Sequence, residues 1–434
     1  MRHLHSLTLL ALCVLAASPL ACGERGKGPG KQASEAAEGP LAAANAALTP
    51  REQVGRLIFF DSTLSFKRNQ SCAACHDGAW GFKGPDPQFN AHGAVYEGSI
   101  PGRFGNRAPP TSAYAVLAPV FHIDPANGEP TGGNFWDGRA TGRELGSAAA
   151  EQARGPFLNP KEMALPDLAC VVFRVSTARY APQYRRVWGN DIATIRFPRN
   201  TDPMCAMQGA AIQLAPGDRA RAVAEYDRIA RSVAAFEGSA EMSPFSSKFD
   251  AYRRGRATLT SQEMLGMALF QGQGRCVKCH VMSGQRPAFT DFTFANVGVP
   301  ANPDNPVYRE DPHFVDLGLG GPEGAAPGRA HHGMMKVPTL RNVAMIGQAN
   351  AVKAYMHNGV FKSLEQVVHF YNTRDVLPAC RAGTPHSDWG RTCWPVAEVP
   401  ANVNRTDVGK LGLTPAQEDA IVAFLGTLSD GWRR

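Results

Sequence analysis

Two short motifs in this chain have the residue types and the spacing that covalent cofactor binding needs. They are Cys72-Ala-Ala-Cys75-His76 and Cys276-Val-Lys-Cys279-His280. In a Cys-x-x-Cys-His motif the thiols form thioethers to haem vinyl groups, and the adjoining imidazole can ligate the iron. A redox dithiol does not need the histidine, and a zinc site needs a differently spaced second half. The pair of motifs therefore predicts two covalently bound haem c groups.

The beginning of the chain is typical of an export signal. Residues 1–22 contain Arg2, an apolar run over 7–17 and then small residues. The run is too short to span a membrane, and no later stretch reaches about 20 apolar residues. Cys22 could carry a lipid anchor, although Pro19 stands where such a site usually has leucine; the alternative is cleavage and release. We predict a periplasmic protein, either soluble or lipid-anchored.

The charge of the chain does not indicate a nucleic-acid partner. Lys and Arg number 45 against 38 Asp and Glu, which gives a net charge of +7 spread along 434 residues. No basic run with interleaved aromatic residues is present. Docking of an acidic redox partner has only weak support from this modest positive charge.

Four cysteines remain outside the signal and the haem motifs, namely Cys170, Cys205, Cys380 and Cys393. In an oxidising compartment an even remainder favours disulfide bonds, and the pairing local in sequence is Cys170–Cys205 and Cys380–Cys393. Free buried thiols are the alternative.

The chain contains an internal repeat. Residues 23–47 are rich in Gly, Ala and Lys and predict a flexible linker. Thr49 and Glu52 then form a capping-box pattern that opens a helix before the first haem motif, and Thr260 and Glu263 do the same before the second. We predict an N-terminal haem domain over 48–252 and a C-terminal haem domain over 253–434, each similar to cytochrome c.

Other segments also predict helices. Residues 222–237 place apolar side chains on one face, and Thr414 with Gln417 caps a last helix. The apolar face consists of Val223, Tyr226, Ile229, Val233 and Phe236. Long loops rich in Gly, Pro and Asn fill 82–134 and 296–335, and strand patterns are few. The fold class is therefore mainly α, with long loops around two cofactors.

Several motifs resemble a known family in order along the chain. They are residues 55–65 (GRLIFFDSTLS), 135–140 (FWDGRA), 151–163 (EQARGPFLNPKEM), 337–344 (VPTLRNVA) and 355–361 (YMHNGVF). This sequence is similar to the bacterial di-haem cytochrome c peroxidase/MauG superfamily from about residue 50 to the C-terminus. Loops 160–215 and 375–405 look like additional material.

The resemblance implies that hydrogen peroxide reacts at the N-terminal haem, with His76 as the proximal iron ligand. Gln152, Pro156 and Glu162 match the family's distal residues. A carboxylate such as Glu162 can take a proton from hydrogen peroxide and return it to the leaving oxygen. Gln152 would hold the peroxide by hydrogen bonding. Standing alone, Glu162 would more often be a solvated carboxylate at a helix start.

Some members of the family close this haem with a histidine a few residues ahead of an Asn-x-x-Pro loop. The corresponding asparagine here is Asn106, and no histidine stands within eight residues before it. His92 lies further back in a glycine-rich loop, where a solvated side chain is the simpler interpretation. An N-terminal haem that is already open, with five iron ligands, is therefore expected.

For the C-terminal haem, the resemblance implies His280 as the proximal ligand and a distal ligand on the helix after His357. Tyr371 lies fourteen residues beyond His357, where some relatives have Met. Ser363 and Gln366 fit a capping box for that helix. Tyr371 then shares the apolar face with Leu364, Val367 and Val368, whereas His369 does not. Met356 is the rival ligand, and Tyr371 could also serve as packing.

Two further residues are implied by the resemblance. Trp136 matches a tryptophan that lies between the two haems and relays electrons; a core tryptophan is the alternative. The family also carries a calcium ion between the domains. Asn106 is the candidate ligand, with backbone carbonyls near Val352 and Ala354.

The function expected from these patterns is that of a periplasmic di-haem c oxidoreductase. A tyrosine ligand is typical of the MauG-like branch, whose members use peroxide to oxidise aromatic side chains of a partner protein. The first alternative is a cytochrome c peroxidase that removes peroxide with electrons from a small redox protein. The second is a non-enzymatic electron-transfer cytochrome, against which a Gln152/Glu162 pocket argues.

Overall fold

A computed structural model of the protein describes residues 47–433. The predicted signal over 1–22, the lipid-anchor candidate Cys22 and all but the last residue of the predicted linker lie outside the described residues. Within 47–433, no helix combines the length and the apolar character that crossing a membrane requires.

Helices make up most of the regular structure, and the strands are short. The α-helices are α1 Pro50–Phe59, α2 Pro87–Ala91, α3 Ala148–Leu158, α4 Leu168–Thr177, α5 Ala181–Trp188, α6 Asp191–Thr194, α7 Thr201–Cys205, α8 Pro216–Glu237, α9 Lys248–Arg253, α10 Ser261–Gln271, α11 Val307–Glu310, α12 Leu364–Thr373 and α13 Pro415–Gly426. Two antiparallel pairs of two-residue strands complete it, β1 His122–Ile123 with β2 Pro130–Thr131, and β3 Phe294–Ala295 with β4 Met335–Lys336. The mainly α prediction is confirmed.

The predicted repeat is visible in two helix pairs. Helix α1 crosses α8 at Gly55, where a Cβ would lie 1.8 Å from the carbonyl oxygen of Ser232. Helix α10 crosses α13 at Gly266, where a Cβ would lie 1.8 Å from the carbonyl oxygen of Ala420. Both first helices begin with a complete capping box, at Thr49 and at Thr260. A glycine at each crossing lets the two helix backbones approach closely.

Two hydrophobic clusters follow these two helix pairs. The first gathers side chains from Val54 to Phe245, and the second gathers side chains from Phe249 to Leu428. Phe249 on α9 packs with the second cluster although it precedes the predicted boundary at residue 253. The domain boundaries themselves stay a prediction.

Two details of the predicted helices are wrong. Helix α8 begins at Pro216 rather than at residue 222, and Val223 is 43% exposed, so it does not belong to the apolar face. On α12, Ser363 caps the amide of Gln366, but the Gln366 side chain accepts from the amide of Lys362 at 2.7 Å. In a capping box, the Gln366 side chain would accept from the amide of Ser363, so this second hydrogen bond is displaced by one residue.

Both predicted disulfide bonds are present. Cys170 on α4 is bonded to Cys205 at the end of α7, and Cys380 is bonded to Cys393 in the loop after α12. The alternative of free buried thiols at these four positions is wrong. The first bond closes a segment that contains α5 and α6, and the second closes a loop with little regular structure of its own.

Candidate active site

Each haem motif forms a tight turn that aims its histidine at a cavity. The amide of His76 donates to the carbonyl of Cys72 at 3.0 Å, and that of His280 donates to the carbonyl of Cys276 at 2.9 Å. The Nδ1 atoms lie 3.0 Å from the Phe82 carbonyl oxygen and 2.9 Å from the Phe289 carbonyl oxygen. Because a carbonyl only accepts, each Nδ1 carries the proton and each Nε2 is left to ligate iron.

The cysteines of the two motifs do not resemble redox or zinc-binding thiols. Burial raises the pKa of Cys72, that of Cys276 to about 12 and that of Cys279 to about 11. A redox dithiol depends on a lowered thiol pKa, which these surroundings oppose. Residues 47–433 also contain no group of three or more His, Cys, Asp or Glu side chains arranged to hold a metal ion. Thioether attachment of haem is the chemistry that fits these thiols.

The first cavity, of about 220 Å³, collects most of the predicted distal residues. His76, Asn106, Gln152 and Glu162 all lie on its wall. Gln152 is carried by α3, which Ser147 caps at its start. Pro156 lies one turn further along α3 and is not on the wall. The roles of all these residues stay predictions.

A tight turn after α3 places the side chain of Glu162 on the wall of the first cavity. The amides of Glu162 and Ala164 both donate to the carbonyl of Asn159, at 2.9 and 3.0 Å. The Asn159 side-chain amide donates to Glu162 Oε1 at 2.6 Å. Burial raises the pKa of Glu162, while the Arg139 cation and the Asn159 hydrogen bond oppose that rise. A carboxyl group beside a bound peroxide can accept a proton from one oxygen and return it to the other.

No second histidine approaches the first cavity. His92 is exposed, and its carbonyl accepts from Lys362 Nζ at 2.6 Å. Among the histidines of the described range, His76 alone lies on the wall of this cavity. This geometry agrees with the expectation of an open N-terminal haem.

The second cavity, of about 210 Å³, has His280, Met356 and Tyr371 on its wall. Leu364, Val367 and Val368 line it as well, so the predicted inward face of α12 is confirmed. His369 instead bonds Glu418 at 3.0 Å and the Gly390 carbonyl at 2.7 Å. Burial raises the pKa of Tyr371, so its phenolate forms only where a cation in the cavity compensates the charge. A ferric iron would supply such a cation.

Trp136 lies between the two cavities and contributes to both walls. It is 8% exposed, and its Nε1 donates to the carbonyl of Ala108 at 2.8 Å. Its ring centroid is 6.4 Å from that of His357. The position fits the predicted electron relay, and the role stays a prediction.

Sequence reasoning missed a partly buried lysine beside this tryptophan. The backbone amide of Lys336 donates to the Trp136 carbonyl at 2.8 Å. Its ammonium donates to the Gly133 carbonyl at 2.8 Å and to Asn134 Oδ1 at 2.7 Å. Burial lowers the pKa of Lys336 to about 7. Nothing in the sequence marks this lysine, since lysine side chains are ordinarily exposed.

Two other polar side chains on the cavity walls were also missed. His357 Nε2 is buried without a hydrogen-bond partner, 3.9 Å from carboxylate oxygens of Asp316 and Glu398. Glu237 is buried at the end of α8 and lines the first cavity. The helical period could have found Glu237, because it continues the apolar face of Ile229 and Val233.

Two of the predicted calcium ligands accept hydrogen bonds from other side chains. The Val352 carbonyl accepts from Asn90 Nδ2 at 3.2 Å. The Ala354 carbonyl accepts from Lys83 Nζ at 2.7 Å, and an ammonium at that distance repels a second cation. Asn106 lies on the first cavity wall. The two hydrogen bonds weigh against a calcium ion at Val352 and Ala354, and the calcium assignment stays a prediction.

Known proteins share this architecture. Residues 49–258 match the family model described as di-haem cytochrome c peroxidase. Methylamine utilization protein MauG of Paracoccus denitrificans is 36% identical over 390 residues, which cover 87% of this chain and 88% of that protein. Cytochrome c551 peroxidase of Nitrosomonas europaea is 28% identical over 327 residues, 74% of each chain.

Among solved structures, the diheme peroxidase BthA of Burkholderia thailandensis superposes with a TM-score of 0.69 at 31% identity. That match covers 89% of this chain and 87% of the other. These matches extend over both predicted haem domains, and each domain contains one helix crossing and one Cys-x-x-Cys-His turn. The chain therefore belongs to the di-haem cytochrome c peroxidase family and is an oxidoreductase that uses peroxide.

Proposed function

We propose that this enzyme is a periplasmic di-haem c oxidoreductase of the MauG-like kind, which uses hydrogen peroxide to oxidise aromatic side chains of a partner protein. The observation that carries the proposal is Tyr371, which faces the same cavity as His280. An anionic oxygen ligand favours high oxidation states of iron, whereas a methionine ligand raises the reduction potential. Such a haem suits the storage of oxidising equivalents better than the supply of electrons.

At the N-terminal haem, the chain's own residues bind the peroxide and move its proton. Haem supplies a redox-active iron when it is bound. Gln152 donates a hydrogen bond that orients the peroxide, and Glu162 accepts a proton from one oxygen and returns it to the other.

In the proposal, the electrons that reduce the peroxide reach the N-terminal haem from the C-terminal haem. Trp136 shares both cavity walls and would relay electrons between the haems. The donor of these electrons in the proposal is a tryptophan or tyrosine of a partner protein. The alternative is a small periplasmic redox protein, as in a cytochrome c peroxidase that removes peroxide. Met356 favours that alternative, because it lies on the same wall as Tyr371.

A matched pair of variants decides between the two ligands. If Tyr371 ligates the iron, Tyr371→Phe changes the EPR and optical spectra of the ferric C-terminal haem, and Met356→Leu leaves them unchanged. The opposite pattern would assign ligation to Met356 and favour the peroxidase alternative. Mass spectrometry of the intact protein checks that both variants carry the same number of covalent haems as wild type.

The partner is tested without any small electron donor. Exported proteins bearing exposed tryptophan or tyrosine are incubated with the enzyme and peroxide, and their aromatic residues are followed by peptide mass spectrometry. Enzyme-dependent oxidation supports the proposal. Rapid turnover with a reduced small cytochrome, together with unmodified aromatic residues in every protein offered, would support the alternative.

The proposal also includes the cellular location of the enzyme. The enzyme is exported by residues 1–22 and is either released or held by a lipid at Cys22. Its cofactors are two haem c groups, and the hydrogen bonds at Val352 and Ala354 weigh against a calcium ion there. Cell fractionation with Cys22→Ser separates release from anchoring.

A further inference from the structure

Glu237, the last residue of α8, places a second carboxyl group on the wall of the first cavity. The residue is 3% exposed, and its Oε2 is buried without a hydrogen-bond partner. Within a protein interior, a carboxylate that lacks a donor or a cation is much less stable than the neutral acid. Burial accordingly raises the pKa of Glu237 to about 8.

Helix packing places Glu237 close to the distal residues. Helix α8 packs against α3, where Ala234 contacts the cluster formed by Ala149 and Ala150. Gln152 follows on α3, so Gln152 and Glu237 reach the cavity from neighbouring helices. The charges of Glu162 and Glu237 both act on the sulfur of Cys72. The two carboxyl groups therefore lie near the same part of the cavity.

Charged side chains on the helices packed against α8 bind partners other than Glu237. Four of them, on α1, α3 and α4, form ion pairs or hydrogen bonds with other partners, so none of these four holds the Glu237 carboxyl group in a salt bridge. They are Arg56 of α1 with Glu241, Glu151 of α3 with the amides of Gly142, Glu144 and Leu145, Arg154 of α3 with Glu144 and Asp227, and Arg174 of α4 with the carbonyls of Thr63 and Ser65. Cys72 faces Glu237, and its sulfur carries no titratable proton once it is a thioether.

We infer that Glu237 holds a proton that the reduction of peroxide consumes. The balanced reaction is H2O2 + 2 e− + 2 H+ → 2 H2O. Glu162 only moves a proton from one peroxide oxygen to the other, so two protons must still arrive with the two electrons. Glu237 supplies one of them to the cavity and regains it from solvent water between turnovers. This inference rests on the proposed reaction with peroxide and adds the source of a proton to it.

The inference is tested with Glu237→Gln, which keeps the shape of the side chain but cannot release a proton. The matched control is Glu225→Gln on the same helix. Glu225 is 1% exposed, bonds Tyr184 and Arg228, and does not line either cavity. Glu237→Asp keeps the acid and is expected to regain part of the lost rate.

Consumption of peroxide is measured across pH with an excess of a chemical reductant, so that neither a partner protein nor a small cytochrome is required. The acid donates while it is protonated, so the wild-type rate falls as the pH rises through about 8. Glu237→Gln is expected to be about 100-fold slower below that pH, at the lower end of the range typical of general acid-base effects. The rate of Glu237→Gln should also not fall as the pH rises through about 8. Glu225→Gln should keep the wild-type rate and the wild-type dependence on pH.

Infrared difference spectra of the resting protein give a readout that does not depend on activity. Wild type should show the C=O band of a protonated carboxylic acid that disappears as the pH rises, and Glu237→Gln should lack that band. Wild-type turnover and an unchanged pH profile in Glu237→Gln would overturn the inference. A wild-type protein that does not reduce peroxide would overturn the proposed function itself, before any variant is compared.

Discussion

Replacing Gly266 with alanine is expected to separate the two helices that frame the second haem cavity. A Cβ at this position would lie 1.8 Å from the carbonyl oxygen of Ala420 and 2.9 Å from Cβ of Phe424. Both neighbours are rigid parts of α13 rather than the ends of flexible side chains. To restore an ordinary contact, α10 and α13 must move apart by about 1.5 Å.

The size of the effect follows from two opposing contributions. Alanine gains about 1 kcal/mol over glycine from its helix propensity. Overpacking costs about 1–3 kcal/mol, and loosening the buried Phe270 and Phe424 removes part of the roughly 1.5–3 kcal/mol that burying each such side chain contributes. The net expectation is a loss of about 3 kcal/mol, or a Tm lower by about 3–4 °C for a chain of 434 residues that unfolds as one unit.

The matched control is Gly426→Ala, at the end of α13. Nothing lies within 4 Å of a Cβ there, so this variant should be as stable as wild type or up to about 1 kcal/mol more stable. Thermal unfolding is followed by circular dichroism on protein with a verified content of two haems. Equal stability of the two variants would refute the argument from the helix crossing.

Three further changes test the site itself. Glu162→Gln is expected to slow the reaction with peroxide by about 10²–10⁴-fold, whereas Glu310→Gln, which breaks only an exposed pair with Lys161, leaves it unchanged. Because the carboxylate of Glu162 is the base and burial raises its pKa, the stopped-flow rate of wild type should fall as the pH drops through that raised pKa. Equal rates in the two variants would remove Glu162 from the mechanism. Trp136→Phe should slow electron transfer between the haems, seen by freeze-quench EPR, without loss of haem; unchanged transfer would leave Trp136 as packing alone. Tyr371→Met should raise the reduction potential of the C-terminal haem in a spectroelectrochemical titration, and an unchanged potential would exclude Tyr371 as a ligand.

Features with a local cause were predictable from the sequence. Capping boxes at Thr49, Thr260 and Thr414 depend on residues three apart, and all three are formed. The inward face of α12 follows from the helical period, which places Tyr371 on the second cavity wall. The disulfide bonds followed from counting cysteines once the haem motifs had been set aside.

Features that depend on distant contacts were not predictable in the same way. The carbonyl of Ala354 accepts from Lys83, a partner 271 positions away in the chain, which weighs against it as a calcium ligand. Lys336 became notable only once the fold had buried its ammonium between two cavities. Val223 satisfied the apolar period of α8 yet faces solvent, since no neighbouring element covers that part of the helix. Periodicity identifies a face, but only tertiary packing decides how much of that face is covered.

The proposal that the Tyr371 haem stores oxidising equivalents implies that both haems share those of one peroxide, and a titration tests this most directly. The purified ferric protein is titrated with stoichiometric hydrogen peroxide before any reductant is added, and both haems are followed by optical and EPR spectroscopy. The proposal predicts that the ferric signals of both haems disappear together and that the oxidised state persists. A reaction confined to one haem, or one that requires prior reduction, would contradict it and favour the peroxidase alternative, in which Tyr371 serves only as packing.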